Sequence, residues 1–395
     1  MVSRRLKVWY FTLEALNALS VSYFFNYLFF YCRDRFGFGE LGNLLAGALH
    51  GLVYMAFVLQ SGRFAQRHGY LTALRVGCLG MAAVLIGASL TAEWVVGQMV
   101  GLGLWTWAMS FTWPALEALV SEGETAEHLP KMIGLYNLIW AGGAALAYFV
   151  GGTIFQELGP RSLYWLPVGV HLVQWGIIER LARQTQRGAG VQWAEPVQPV
   201  QASNPISPQP GQRSSIFLKM AWWSNPFAYV AMNTVQPLIP LLAARLGLST
   251  AAAGVFASVW LFARLAAFGL LWRWTGWHYR FGWLLGAYGL LVGSFMALLL
   301  AQQLWWLVLA QVGFGLAVGL IYYSSLFYSM DLGETKGEHG GLHERAIGVG
   351  LFVGPTLGSA SLWLAPDAPK AGIWAVSAVL GLGLLGLLWL RWGKR

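Results

Sequence analysis

GLFVGPTLGS, residues 350–359, sets Gly350, Gly354 and Gly358 four residues apart with Pro355 among them, a spacing that puts the three glycines on one face of a helix. A shift of 207 residues toward the N-terminus lays this stretch on GAALAYFVGG, residues 143–152. Gly143, Ala147, Tyr148 and Gly151 then stand opposite Gly350, Gly354, Pro355 and Gly358. The same shift carries Gly269 and Gly276 onto Gly62 and Gly69, which bracket the charged stretch SGRFAQRHGY, residues 61–70. One offset that aligns two unlike motifs marks an internal duplication. Asn233 also falls on Asn26 under that shift.

Around these motifs the composition is that of a membrane protein. Of 395 residues, 57% are hydrophobic and 10% charged, far too little charge to cover a soluble surface. A helix that crosses the hydrocarbon needs about 20 mainly apolar residues, and the chain holds 12 such runs. They cover about 9–30, 41–59, 71–90, 94–120, 132–155 and 163–178, then 216–242, 251–272, 281–300, 305–330, 346–364 and 372–390. Between the sets, residues 183–213 are rich in Pro and Gln and cannot bury a core. The expected fold is all-α, two pseudo-symmetric six-helix bundles, residues 1–182 and 214–395, joined by that flexible linker.

Charge sets the orientation. The first apolar run contains Glu14 and is too long for a secretory signal, so it reads as a retained span. With the N-terminus in the cytoplasm, the even-numbered connections and both termini hold 19 Lys and Arg. The opposite side holds five, Arg33, Arg35, Arg161, Arg245 and Lys370, and Arg264 lies within a span. The bias places both termini in the cytoplasm. The net charge of +9 is therefore an orientation signal, and no nucleic-acid partner is expected. Cys32 and Cys78 suggest neither a disulfide framework nor a zinc site.

At these motifs the chain resembles the major facilitator superfamily. The family pattern G-x-L-a-D-R-x-G-R lies between its second and third spans, and GRFAQRHGY matches at Gly62, Ala65, Arg67 and Gly69. Gln66 stands where the family usually has Asp, and Phe64 replaces Leu. The eleventh-span signature g-x-x-x-G-P-x-x-G-G matches Gly350, Gly354, Pro355 and Gly358, and the fifth span holds a copy without the proline. The residues by themselves make 61–70 a tight turn whose glycines permit close approach and whose arginines sit among water and headgroups. The resemblance implies more: contact with the other half in one gating state, with Glu117 or Glu122 as partner for Arg67. Glycines at helical spacing let helices touch, and Pro355 permits a bend.

Chemistry in hydrocarbon has to come from the few polar groups kept there, because an ionisable group is costly in lipid unless paired or hydrated. Glu14 shares one face of the first span with Tyr10 and Asn17. Arg264, in the eighth span, lies at a comparable depth, so the two could pair or both could line a cavity. Glu14 is the candidate proton site, and Arg264 a contact for a solute anion or a counter-charge. In the superfamily the first, fourth, seventh and tenth spans line the central cavity, and here they carry polar faces. The fourth offers Thr106, Ser110 and Trp113, the seventh Asn233 and Gln236 beside Pro237, and the tenth Gln311, Tyr322, Ser325 and Ser329. Apolar walls with a few placed polar groups suit a small amphipathic organic solute.

Other motifs carry less. His339 and His343 are four apart, but Gly340 and Gly341 are expected to interrupt the helix a metal pair would need, leaving a hydrated loop. Glu344 and Arg345 resemble the charged approach to the eleventh span in the superfamily. His50 and His171 read as packed or interhelical groups. No phosphate-cradling loop is present, and Gly97 stands where many proton-driven drug exporters of the family carry Arg, which argues against that subclass. No cofactor, no metal and no enzyme activity is expected. The expectation is a monomeric secondary transporter in the cytoplasmic membrane of a bacterium, moving its solute by alternating access with protons as the coupling ion. A transport-inactive receptor or a lipid translocator on the same scaffold is the alternative.

Overall fold

The computed structural model describes residues 4–124, 128–187, 212–332 and 336–393, and most of the linker read from the sequence lies outside them. The described residues form helices and short turns, with no strand. In order the helices are α1 (Arg4–Phe36), α2 (Glu40–His68), α3 (Tyr70–Leu90), α4 (Val95–Met109), α5 (Trp113–Ser121), α6 (Leu129–Leu158) and α7 (Ser162–Arg187). The second half holds α8 (Gln212–Arg245), α9 (Thr250–Arg273), α10 (Phe281–Leu300), α11 (Leu304–Leu332), α12 (Lys336–Leu364) and α13 (Ala371–Trp392). Among the described residues nine of these are long and apolar enough to cross a membrane unaided. Together α4 and α5 make the fourth crossing; with α1 and α7 they complete the expected twelve, so both ends of the chain lie at the same end of the bundle.

The fourth crossing breaks for a local reason. The hydroxyls of Ser110 and Thr112 donate to the carbonyls of Trp107 and Met109 at 2.7 and 2.8 Å, diverting acceptors from the helical ladder. Pro114 then opens α5 without a backbone donor. Two expectations about turns are corrected. Residues 61–68 continue α2, and the reversal is made by Gly69 alone, at φ 91°, with its N–H on the Ala65 carbonyl at 2.9 Å. Lys336–Leu364 is one helix, so Gly340 and Gly341 do not interrupt it; each glycine costs only about 1 kcal/mol of helix propensity. The side chains of His339 and His343 lie outside the described residues.

The internal repeat is visible in the helix bounds. Moved by 207 residues, α12 covers 129–157, and α6 is Leu129–Leu158; α2 covers 247–275, and α9 is Thr250–Arg273. These pairs also make the most extensive contacts between the halves, α12 on α2 and α6 on α9. Glycines let them approach. A Cβ on Gly47 would lie 3.4 Å from Pro355, and one on Gly254 would lie 2.9 Å from the Tyr148 carbonyl oxygen. Both residues of the second contact are the first contact's residues displaced by the repeat. Gly350 and Gly354 seat α12 against α8, where a Cβ on either would strike backbone.

Exposed tryptophans form two belts. Trp94, Trp165, Trp305, Trp306, Trp363 and Trp374 ring the end away from the termini, and Trp272, Trp274, Trp283, Trp389 and Trp392 ring the other, as amphipathic rings do at the two water interfaces of a bilayer. The end away from the termini is also tied across the halves by polar contacts. Arg33 Nη1 donates to the Pro240 carbonyl at 2.6 Å, Asn43 Nδ2 to that of Pro237 at 3.0 Å, and Arg245 pairs with Glu40.

Candidate functional site

Where α1, α5, α6, α8, α9, α11 and α12 converge, aromatic rings surround the chain's few intramembrane charges. Trp260, Arg264 and Phe268 follow at four-residue steps on one face of α9. The Arg264 guanidinium lies 4.5 Å from the ring centre of Trp140 on α6 and 5.0 Å from that of Trp260. Its Nη1 reaches Met232 Sδ at 3.5 Å, while Nε has no hydrogen-bond partner among the described residues. Trp140 meets Trp113, Phe268 and Tyr322 edge-on, with centroids 6.3, 5.9 and 5.7 Å apart, and Tyr229 stands 6.3 Å from Tyr322. The wall thus draws on both halves.

Three carboxylates lie close to these rings. Glu14 on α1 is wholly buried, and neither of its oxygens has a hydrogen-bond partner among the described residues. Glu117 on α5 lies within electrostatic reach of Glu14 and of Glu344. Glu344, on α12, accepts the Tyr54 hydroxyl of α2 at 2.7 Å. The Tyr136 phenol feels all three carboxylates, and Tyr229 and Tyr322 feel Glu117, Glu344 and Arg264 together. Glu14 and Arg264 are both buried between helices and make no ion pair. Of the two arrangements left open by the sequence, the ion pair is not formed.

The remaining expected residues scatter around it. Asn17 is buried and donates to Thr112 Oγ1 at 3.3 Å, with its Oδ1 free of partners among the described residues. Gln311 is buried with both amide atoms likewise unpartnered, and Ser325, also buried, lies one turn beyond Tyr322 on α11. Asn233 turns its amide back onto the Tyr229 carbonyl at 2.9 Å, one helical turn away, and Asn26 does the same to Ser22 in the first half. Gln236 belongs to the tied end, donating to Asn26 Oδ1 at 3.4 Å. Arg67 is exposed and pairs with neither Glu117 nor Glu122; Gly62, five residues earlier on α2, has open space. Gly358 sits against Leu44 of α2. His50 bonds Thr106 at 2.8 Å, and His171 bonds Ser20 and Gln174, both at 2.9 Å.

Sequence reasoning missed Tyr54, Tyr136, Trp140 and Tyr229, and left Glu344 outside the chamber. A signal existed. Glu344 lies one turn before Gly348, whose Cβ would sit 3.0 Å from Met55 of α2. Trp140 and Tyr136 likewise continue the face of Gly143 by one and two turns.

The sequence model described as Major Facilitator Superfamily matches residues 12–355. The methyl viologen resistance protein SmvA of Salmonella typhimurium is 27% identical over 157 residues, 38% of this chain and 30% of that protein, so the chain matches less than a third of that relative's length. Among solved structures, the human organic anion transporter MFSD10 (TETRAN) superposes with a TM-score of 0.68 at 14% identity, covering 98% of this chain and 100% of that one. The nucleoside transporter NupG gives 0.68 at 12% identity over 97% and 99%. A peptide transporter POT in complex with sulfate gives 0.66 at 14% identity over 98% and 94%.

Proposed function

This chain belongs to the Major Facilitator Superfamily, and from that premise we propose that it is a secondary transporter, not an enzyme, that carries a small amphipathic organic cation by alternating access, with protons as the coupling ion. One observation carries the reading. Glu14, Glu117 and Glu344 all lie within electrostatic reach of Tyr136, and Glu117 and Glu344 share the reach of Tyr322 with the cation Arg264. Unbalanced negative charge in a low-dielectric interior is costly, so the chamber is stable when protons or a cationic solute neutralise it. Aromatic walls suit the same guest, because ring faces attract desolvated cations. The SmvA similarity supports the class, since methyl viologen is itself an organic dication.

In this reading Glu14 is the proton site, Glu117 and Glu344 contact the solute's charge, and Arg264 fixes the chamber's counter-charge. Asn17, Trp113, Asn233, Gln311, Tyr322 and Ser325 contact the solute. Gly62, Arg67, Gly69 and the glycines beside Pro355 serve gating, as Gln236 does at the tied end. The halves are 1–182 and 214–395 of a monomer in a bacterial cytoplasmic membrane, with linker 183–213 and both termini in the cytoplasm. The test is counterflow in proteoliposomes with tetraphenylphosphonium and tetraphenylborate, similar in shape and opposite in charge. Exchange of the phosphonium and not the borate is expected; the reverse preference, or binding without exchange, overturns the reading.

A further inference from the structure

The outer face of α7 carries a stripe that the central chamber does not use. Trp165, Leu172, Val173 and Trp175 are exposed along it, and Gly169 and Gly176 leave open space between them. Toward the end of the bundle that holds the termini, the stripe runs into a recess of about 500 Å³ lined by Trp175, Gly176, Glu179, Arg180, Arg183 and Gln184. The acidic member is already engaged. Arg75 of α3 grips the Glu179 carboxylate through Nε at 2.6 Å and Nη2 at 3.3 Å. Arg180 lies 5.6 Å over the Trp9 ring of α1, and Arg180 and Arg183 are both exposed.

Charge and polarity therefore run in one direction along a single helix: apolar and grooved by glycines below, doubly cationic above, with tryptophan between. A soluble anion would use the arginines and leave the apolar groove uncovered. An apolar chain alone would use the groove and leave the arginines. A molecule that uses both is amphipathic and anionic, and cationic side chains at headgroup depth attract such lipids. We propose that this recess is a binding site for an anionic phospholipid, with the phosphodiester between Arg180 and Arg183 and an acyl chain along α7 over Gly176 and Gly169. The site stands apart from the transport chamber and does not depend on the function assigned to it.

The test uses the purified full chain, titrated with palmitoyl-oleoyl phosphatidylglycerol or phosphatidylcholine and read by native mass spectrometry. The phosphatidylglycerol complex should be retained preferentially, and Arg180→Gln with Arg183→Gln should weaken it at least ~tenfold, the scale of neutralising surface arginines. A charge-matched control, Arg63→Gln with Lys131→Gln, should leave it unchanged. The melting temperature of each lipid-free variant checks folding, and Arg183→Gln alone, which keeps Arg180 over Trp9, provides a milder variant expected to weaken binding in part. Equal loss in the control, equal retention of both lipids, or stabilisation by inorganic phosphate as large as by phosphatidylglycerol overturns the proposal.

Discussion

Arg264 of α9 rests its guanidinium 4.5 Å over the ring of Trp140 of α6, a cation of one half held by a π face of the other. A desolvated contact of this kind is worth about 2 kcal/mol, roughly thirtyfold in an equilibrium. Lysine keeps the charge and loses the flat face. Arg264→Lys and Trp140→Leu should each destabilise the fold by about that amount, read as a lower melting temperature. Because they remove the same contact, the double variant should be little worse than either single one. Full additivity in the three melting measurements would show that the contact does not matter.

Glu14 supports a cleaner substitution. Neither oxygen has a partner among the described residues, so Glu14→Gln removes a charge without breaking a hydrogen bond. The variant should keep its melting temperature and exchange solute at equal pH on both sides. It should lose accumulation driven by a pH gradient. Unaltered gradient-driven accumulation would remove Glu14 from the coupling mechanism.

The repeat, the twelve crossings and the family were legible because they depend on spacing that survives in one dimension: glycines at four-residue steps and a single offset. The chamber was legible only in part. Glu14 and Arg264 stand out as charges inside apolar runs. Glu117 and Glu344 lie near the ends of such runs, where charge is ordinarily solvated, and only the packing of α12 on α2 turns Glu344 inward toward Tyr54. Aromatic residues are abundant here, 22 Trp, 15 Tyr and 22 Phe, so only their helical register with Gly143 distinguishes Trp140 and Tyr136 from the rest. The absence of a Glu14–Arg264 pair has the same origin: equal depth does not fix a shared azimuth.

Lys7 was not singled out by its sequence, yet it caps the fourth crossing. Its Nζ donates to the carbonyls of Val120 and Glu122 at 2.6 and 2.7 Å and lies 3.2 Å from Glu124 Oε1, a cation at a helix C-terminus. Lys7→Met should destabilise the protein by about 1–3 kcal/mol, as leaving buried carbonyls without their donor does. The loss should depend on pH. Burial holds the Glu122 carboxyl above its ordinary 4.5, and Lys7 draws it back down. A carboxyl raised by folding contributes stability that is full below 4.5 and is lost as pH rises through the folded value. Without Lys7 that value climbs further, so the gap in melting temperature between variant and native protein should widen from pH 4.5 to pH 7.5. A constant gap would mean that Lys7 does not act on Glu122.

Gly254 tests whether closure of the end away from the termini is part of the cycle. A Cβ there would sit 2.5 Å from the Tyr27 hydroxyl and 2.9 Å from the Tyr148 carbonyl oxygen, and the Tyr27 hydroxyl itself donates to that carbonyl at 2.5 Å. Valine at this position cannot be accommodated while α6 and α9 keep their present separation, and overpacking of this kind costs about 1–3 kcal/mol. The strain bears on the conformation tied at that end and is relieved when the halves part there, so the population should move toward the opposite opening. Spin labels at Asp34→Cys, in the last turn of α1, and Gly247→Cys, in the turn after α8, should report a longer mean distance in Gly254→Val than in the native background. Counterflow should fall while tetraphenylphosphonium binding persists. An unchanged distance distribution together with lost binding would show instead that Gly254 supports the chamber and not the gate.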